Sequence, residues 1–580
     1  MAVENLITEH IDIWTSAVKA KSISGRGSSK KLELYGIKKL RELIIELAIQ
    51  GKLTANLDFK GSAKKNVEDA IVAKFNLSKE RNIRGDKETY SSDRAKGFPL
   101  HWETICVGQV AHVLGGKRVP KGYKLSEQPT DFVYLRVTDM KNQSIDESDL
   151  RYISEEVFKQ ISRYTINTGD VYVTIAGTIG AVGTIPPHLD GMSLTENAAK
   201  LVFSGLSKKY LVTVLQSSFV TRQFNDAVNQ MAQPKLSLNS IKHTCIPIPP
   251  LEEQEYIADK VDELMALCDQ LEQQTETSIE AHQVLVTTLL DTLTNSADAD
   301  ELIQNWARIS EHFDTLFTTE ESIDQLKQTI LQLAVMGKLV PQDPTDEPAS
   351  ELLKRIAEEK AQLVKEKKIK KEKVLPPISE DEKPFELPNG WEWCRFGNVA
   401  TSRLGKMLDK SKNVGAPLPY LRNTNVQWHK FDLDDVKLMK IEDSEREEFL
   451  VLPGDLLICE GGEPGRCAIW EDEKQEIYFQ KALHRARPLG QCLPEYLQVC
   501  LTVDAANGVL DNYFTGATIK HFVGAKLNNY IHPLPPVEEQ KRIVNKISDL
   551  IKICEQLKCL LRQSQTTQLH LTDAIVEQAV

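Results

Sequence analysis

Apolar residues recur on a helical period in four stretches of the chain, and the four form two pairs. Ile257, Val261, Leu264, Cys268 and Leu271 step by 4, 3, 4 and 3, and Ile543, Ile547, Leu550, Cys554 and Leu557 repeat those steps. Such an alternation is the seam of a coiled coil. A helix packed on its own domain accounts for two or three such steps, but poorly for the same seam twice. Two shorter stretches carry Ile37, Leu40, Ile44, Leu47 and Ile323, Leu326, Ile330, Leu333. They run into Gly51-Lys52-Leu53 and Gly337-Lys338-Leu339, with each glycine where a helix C-terminal stop is expected.

Each long seam follows a proline pair, Pro249-Pro250-Leu251-Glu252-Glu253-Gln254 and Pro535-Pro536-Val537-Glu538-Glu539-Gln540. The prolines stop an extended segment, and the glutamates fall in a first helical turn, where acidic groups favour the positive end of the dipole. Gly51 and Gly337 are 286 residues apart, as are Pro250 and Pro536. One offset shared by two unlike elements means that a whole unit is duplicated. The helices after the proline pairs are predicted to run roughly 44 residues, about 65 Å if unbroken, with an interruption near Gln274 and Gln563. Gln578-Ala579-Val580 matches Leu333-Ala334-Val335, so the C-terminal helix is expected to partner the N-terminal helix (35–50). The helices at 251–294 and 321–336 would close the same ring internally.

Between these markers the duplication continues more loosely. Residues 1–34 form a poorly patterned lead with a loop at 24–29, and charged connectors follow each Gly-Lys-Leu. The second connector ends in the run 365–373, which reads as a solvated helix. Phe98-Pro99-Leu100-His101-Trp102 matches Leu387-Pro388-Asn389-Gly390-Trp391. Tyr134-Leu135-Arg136 matches Tyr420-Leu421-Arg422, and Gly169-Asp170-Val171 matches Gly454-Asp455-Leu456. These matches lie in regions of short strands and glycine turns. The predicted fold class is α+β: two homologous mixed α/β domains, separated by long antiparallel coiled-coil helices in a pseudo-twofold internal repeat. The divisions are 1–96, 97–249, 250–386, 387–535 and 536–580.

Composition narrows the class. At 580 residues the chain is too long for one core, and 41% hydrophobic residues can bury several. The N-terminus has no secretory pattern and no stretch approaches 18 apolar residues, so no membrane association is expected. Ten scattered cysteines without Cys-x-x-Cys, two of them on the seams, suit reduced thiols and a cytoplasmic location. The formal charge of −12 argues weakly against nucleic acid. Only local charge at a contact surface matters, however, and 97–249 holds fifteen basic and thirteen acidic residues.

The motifs of common enzymes are missing. Gly115-Gly116-Lys117-Arg118 is a basic turn rather than a phosphate loop. Gly177, Gly180 and Gly183 are spaced as a tight turn, not as Gly-x-Gly-x-x-Gly, and only Gly462 and Gly465 recur in the second copy. The Asn/Asp-Pro-Pro-aromatic element of amino-methyltransferases is absent, and the histidines lack His-x-x-x-His zinc spacing, His532 being a strand-end residue. The chain therefore reads as non-catalytic, with no cofactor or metal of its own.

What remains are polar loops at corresponding places. Lys117, Arg118, Lys121 and Lys124 in the first domain, and Arg403, Lys406, Lys410 and Lys412 in the second, sit on glycine-containing loops suited to phosphate contacts. After the Tyr-Leu-Arg strands come Arg136, Thr138, Asp139 and Asn142, and Arg422, Asn423, Asn425 and Gln427, side chains able to read base edges. Later loops add Gln233 and Lys235, and Thr518, Lys520 and His521. Two related frames with different polar loops are what reading two different sequences requires.

The pattern resembles the specificity (S) subunit of Type I restriction–modification enzymes. The matching pieces are the domain opening at 387–400, the domain closings at 246–272 and 534–558, and the segment at 328–339. The first domain opens more loosely, with Gly97-Phe98-Pro99-Leu100-His101-Trp102 in place of Leu-Pro-x-Gly-Trp. The resemblance implies that each globular region is a target recognition domain reading half of a bipartite, asymmetric site in double-stranded DNA. It implies that the helices set the spacing and dock two modification (M) subunits, which carry S-adenosylmethionine and methylate adenine. Restriction (R) subunits then join with ATP and Mg. The alternative is a coiled-coil protein-interaction adaptor that never meets DNA; a self-contained modification enzyme is disfavoured by its missing motif.

Overall fold

The structure is a computed structural model that describes residues 3–20, 32–84, 90, 97–229, 234–369, 374–409 and 413–580. The predicted loop at 24–29 and the end of the basic run, 370–373, lie outside the described residues. The chain divides into two compact units, Met1–Ser278 with Gln563–Val580, and Ile279–Arg562.

Both long helices exist, over Leu251–Thr294 and Val537–Ala579. Neither breaks at Gln274 or Gln563. The apolar seam fades there, but an exposed helix keeps its i→i+4 backbone bonds without an apolar stripe. On the seams Ile257, Val261, Leu264, Cys268, Ile543, Ile547 and Cys554 are buried, and Leu271, Leu550 and Leu557 are half-buried.

In the second unit the seam is filled by the shorter helix Glu320–Val335: Ile323, Leu326 and Ile330 share a core with Ile543, Ile547 and Cys554. Their polar flanks run antiparallel. Glu320 pairs with Arg562 at 2.7 Å and Lys327 with Glu555 at 2.6 Å, and Lys558 meets Asp324 between them. The first unit repeats the arrangement with the helix Tyr35–Ile49, whose Arg41 reaches Asp269 at 2.7 Å and Glu272 at 2.6 Å. Arg41 and Asp269 are separated by 228 residues, as are Lys327 and Glu555, so one docking mode is used twice.

The expected pairing of the C-terminal and N-terminal helices is therefore corrected to a division of labour. Residues 537–562 pack on Glu320–Val335, and it is the final stretch that belongs with Tyr35–Ile49. There the Tyr35 hydroxyl donates to Asp573 at 2.7 Å. Lys52 Nζ donates to the carbonyls of Ala579 and Val580 at 2.7 and 2.8 Å. Lys338 does the same in the second unit, at 2.9 Å to the carbonyls of Thr294 and of Ser296. Each lysine of a Gly-Lys-Leu thus places its charge on carbonyls that a helix end leaves unpaired.

The globular parts share a frame. In the first unit a four-stranded antiparallel sheet has the order Val182–Gly183, Val171–Thr174, Ala198–Phe203, Ala111–Gly115. In the second the order is Cys467–Ile469, Leu456–Cys459, Leu483–Pro488, Ala400–Leu404. Beside it lies a three-stranded sheet built on a parallel pair, Tyr134–Leu135 with Met192–Leu194, and Ala416–Leu421 with Tyr478–Phe479. Glu103–Cys106 pairs antiparallel with Cys245–Ile248, and Glu392–Arg395 with Ile531–Leu534. These last pairs bring the start and end of each domain together.

Where domain meets long helix, the signature motifs converge. The second glutamate of each proline-pair motif is 1% exposed and accepts the indole N–H of the domain-opening tryptophan. The distances are 3.1 Å for Trp102–Glu253 and 2.9 Å for Trp391–Glu539. Thr54 and His101 also reach Glu253, at 2.7 and 2.9 Å. The fully buried Gln254 and Gln540 donate to the carbonyls of Pro249 and Pro535, each at 2.9 Å. Gly51 and Gly337 hold φ of +69° and +70°, and a Cβ on either would sit 2.5 Å from Cγ of Pro99 or Pro388. The glycine both ends its helix and admits the proline.

Candidate nucleic-acid interface

In each domain one tight turn lies between the two segments that carry the predicted contacts. Residues 194–198 form it in the first domain. Thr195 N donates to Leu135 O, Lys117 N to Leu194 O, and Gly116 N to Ala198 O. Residues 479–483 repeat every bond: Gln480 N to Leu421 O, Lys406 N to Phe479 O, and Gly405 N to Leu483 O. The glycines are required, because a Cβ on Gly116 would lie 2.1 Å from Thr195 O and one on Gly405 2.2 Å from Gln480 O.

Several residues predicted to contact bases are instead spent on this frame. Asp139 is 2% exposed; its carboxylate accepts from Arg136 N at 2.8 Å and from the Arg136 guanidinium at 2.7 and 3.2 Å. Asn425, also 2% exposed, takes the same place and accepts from Arg422 N at 2.9 Å. Its amide donates to Asp432 O at 2.9 Å. Arg136 and Arg422 each reach an aspartate 13 residues on, Asp149 at 3.2 Å and Asp435 at 2.8 Å. Lys406, 6% exposed, is paired with Glu442 at 2.7 Å and with Glu445, so it offers no charge to a phosphate. Arg403 is half-buried against the Phe449 ring and paired with Glu448. Buried polar groups need partners, and these have found theirs inside the protein.

The other predicted residues stay on the surface or near it. Lys117, Arg118, Lys121, Lys124, Thr138, Asn142 and Lys235 are exposed. Asn142 and Gln143 form the tip of the hairpin Met140–Lys141/Ser144–Ile145, with φ of +50° and +61° as a two-residue turn requires. Arg118, Arg136 and Thr138 line one open cavity of about 450 Å³ together with Tyr134, Glu196 and Asn197. Burial and the neighbouring Glu196 carboxylate push the Tyr134 hydroxyl up to about 12, so it acts as a neutral donor.

In the second domain Thr518, Lys520 and His521 are exposed, with Lys520 paired to Asp511 at 2.9 Å. Asn423 donates to Gly461 O at 3.4 Å, and a Cβ on Gly461 would lie 3.2 Å from His521 Nδ1, so the fold gathers Asn423 and His521 around one glycine turn. Gln427 bonds back to Thr424 O at 2.9 Å. Gln233, Lys410 and Lys412 lie outside the described residues.

The turn residues Glu196 and Lys481 were not singled out by sequence. The available signal was their place just after strands that match at a fixed offset. His532 is not a strand end but the fully buried centre of Ile531–Leu534. Among the described residues no cluster of His, Cys, Asp and Glu could hold a metal, and no helix is long and apolar enough to cross a membrane. The ten cysteines are free thiols, eight of them buried.

Comparison with known proteins gives this geometry a family. The model of the Type I restriction modification DNA specificity domain matches twice, over residues 99–281 and 388–563. Over their full lengths, the chain is 38% identical to the specificity subunit of the Type I restriction enzyme EcoAI and 37% identical to that of EcoEI, both from Escherichia coli. Among solved structures, the HsdS subunit from Thermoanaerobacter tengcongensis aligns with 84% of this chain and 98% of its own, at 19% identity and a TM-score of 0.43. Full-length identity and a family domain written twice lead to one conclusion: the chain belongs to the specificity subunits of Type I restriction–modification systems.

Proposed function

We propose that this chain is the DNA-recognition subunit of a Type I restriction–modification complex, reading a bipartite, asymmetric site with one domain per half. The observation that carries this reading is the frame written twice with unlike side chains on its surface. Phosphate contacts come from Lys117, Arg118, Lys121, Lys124, Lys235 and Lys520, and base contacts from Thr138, Asn142, Asn423, Gln427, Thr518 and His521. Each phosphate contact adds salt-dependent affinity, and each good bidentate base contact adds about 1–3 kcal/mol of discrimination.

The chain is non-catalytic and binds no cofactor. S-adenosylmethionine sits on two M subunits, ATP and Mg on R subunits, and the complex works in the cytoplasm. The long helices dock the M subunits. Leu267 and Leu285 are 41% and 50% exposed on the first helix, and at the 286-residue offset Ile553 and Leu571 are 50% and 45% exposed on the second. Apolar side chains exposed at matching places in both copies suit a partner that binds twice.

The test is to exchange residues 97–249 for those of a relative of different specificity, assemble the complex and map methylated sites. One half-site is expected to change while the other and the gap persist. A change in both halves, or in neither, overturns the reading. Inserting about four residues, roughly one helical turn, within 273–296 is expected to lengthen only the gap between half-sites.

A further inference from the structure

The turn that the frame holds between the two candidate segments carries opposite chemistry in the two domains. At its tip the first domain has Glu196 and the second Lys481, and the three backbone bonds that frame the turn correspond. Glu196 is preorganised. Its Oε2 accepts from Thr195 Oγ1 at 3.1 Å and lies 3.1 Å from the Tyr134 hydroxyl, whose single proton it shares with the nearer Lys117 O at 2.8 Å. The other oxygen, Oε1, lies 3.3 Å from the Nε of Arg118, whose side chain is 84% exposed. A carboxylate with one oxygen anchored and the other beside a solvent-exposed arginine, on an open cavity of about 450 Å³, is an acceptor held ready for an incoming donor. Lys481 is exposed, and its backbone N–H is fixed to Lys406 O at 2.7 Å, so its ammonium extends from an equally rigid base.

We infer that these residues determine specificity at one position of each half-site. Glu196 accepts a hydrogen bond from the exocyclic amino group of a cytosine or adenine in the major groove. Lys481 donates to the O6 and N7 acceptors of a guanine. Base edges differ there in the placing of donors and acceptors, so an acidic side chain in one domain and a basic one in the other select unlike bases. This rests on the DNA-recognition reading above, and the experiment separates the two.

The probe is Glu196→Gln in the assembled complex, read by mapping methylated sites on genomic DNA. Glutamine keeps the shape and can still accept from Tyr134 and Thr195, but it turns the free oxygen into an amino donor. The expected result is relaxation, or a switch from an amino-bearing to a carbonyl-bearing base, at one position of one half-site. Discrimination there should fall roughly 5- to 150-fold. The identity of the affected base tells cytosine from adenine. Lys481→Glu is expected to change one position in the other half-site only. Tyr134→Phe, which frees the carboxylate without removing it, should weaken the preference at the Glu196 position by less. If the unmutated complex methylates a bipartite site while Glu196→Gln and Lys481→Glu leave every base of it unchanged, the inference is overturned. If the unmutated complex shows no bipartite site, the failure lies in the functional reading itself.

Discussion

At the foot of each domain a tryptophan gives its indole N–H to a buried glutamate, and there the two halves are nearly superimposable in chemistry. Away from that point they part. In the first domain the three-stranded sheet gains its third strand, Thr165–Ile166, beside Met192–Leu194; in the second the addition is Lys437–Ile441, beside Ala416–Leu421. Each copy keeps the other edge only as a single antiparallel bridge, Val133 with Tyr152 in the first and Leu450 with Tyr478 in the second. Charge diverges too: residues 387–535 hold seventeen basic and twenty acidic residues, against fifteen and thirteen in 97–249. What both copies keep is the set of bonds that join a domain to its helices. What varies is the side chains and edges that no internal bond fixes.

The largest test of that division is Trp391→Ala, with Trp102→Ala beside it. Each removes a buried aromatic and should cost roughly 3–5 kcal/mol. Thermal unfolding is expected to show similar losses for the two, because the joint is the same.

Acid titration should then tell the halves apart. Burial pushes the Asp504 carboxyl up to about 6, although the Tyr530 hydroxyl donates to it at 2.6 Å, and burial pushes His532 down to about 4. Their counterparts in the first domain are Ser218 and Ile246, which do not titrate. Folded Asp504 keeps a proton that the unfolded chain has released, so its contribution to stability falls as pH rises from about 4 to about 6. Folded His532 refuses a proton that the unfolded chain takes up. Its contribution therefore rises from pH about 4 to about 6.5. Each amounts to roughly 3 kcal/mol at most, and the two oppose. Asp504→Asn should leave a melting temperature that climbs with pH across this window, and His532→Ile one that falls. Equal slopes for both variants would mean that neither group is buried as described.

Smaller effects refine the joint itself. Glu253→Ala strands the buried donors of Trp102 and Thr54, whereas Glu539→Ala strands that of Trp391 alone, the exposed His101 and Gln342 turning to water. Each should cost about 1–3 kcal/mol, with Glu253 the larger, as read by denaturant midpoints. Gly51→Ala and Gly337→Ala force an alanine into the left-handed region at about 1–2 kcal/mol, with the proline contact adding to it. Near-equal losses are expected from the pair.

Much of the fold was legible because the chain is duplicated: the 286-residue offset located both proline pairs, both glycine stops and both seams. The site was less legible. Arg136 and Arg422 read as base contacts, because a side chain's use depends on what faces it. In hindsight the aspartate 13 residues after each arginine was a visible sign of a shared brace. Glu253 read as a dipole-compensating acid, since no sequence pattern distinguishes a surface glutamate from one facing a tryptophan. The seams were read correctly as seams. What fills them, a short helix from 200 or more residues upstream in each copy, is a long-range fact that periodicity does not encode.

The hairpin after Tyr-Leu-Arg carries one more consequence. Its base is riveted by arginine and aspartate in both copies, while its tip is Asn142-Gln143 in one and Trp428-His429 in the other, with positive φ at Asn142, Gln143 and His429. The two tips are tied down to different degrees. In the first domain Asn142 and Gln143 are exposed and only the backbone is held, Thr184 N donating to Gln143 O, whereas in the second Trp428 donates to Glu463 at 2.7 Å and His429 Nε2 lies 3.3 Å from Thr502 Oγ1. One or two codons can therefore be rewritten at the first tip with the scaffold below left intact, and at the second only together with its partners.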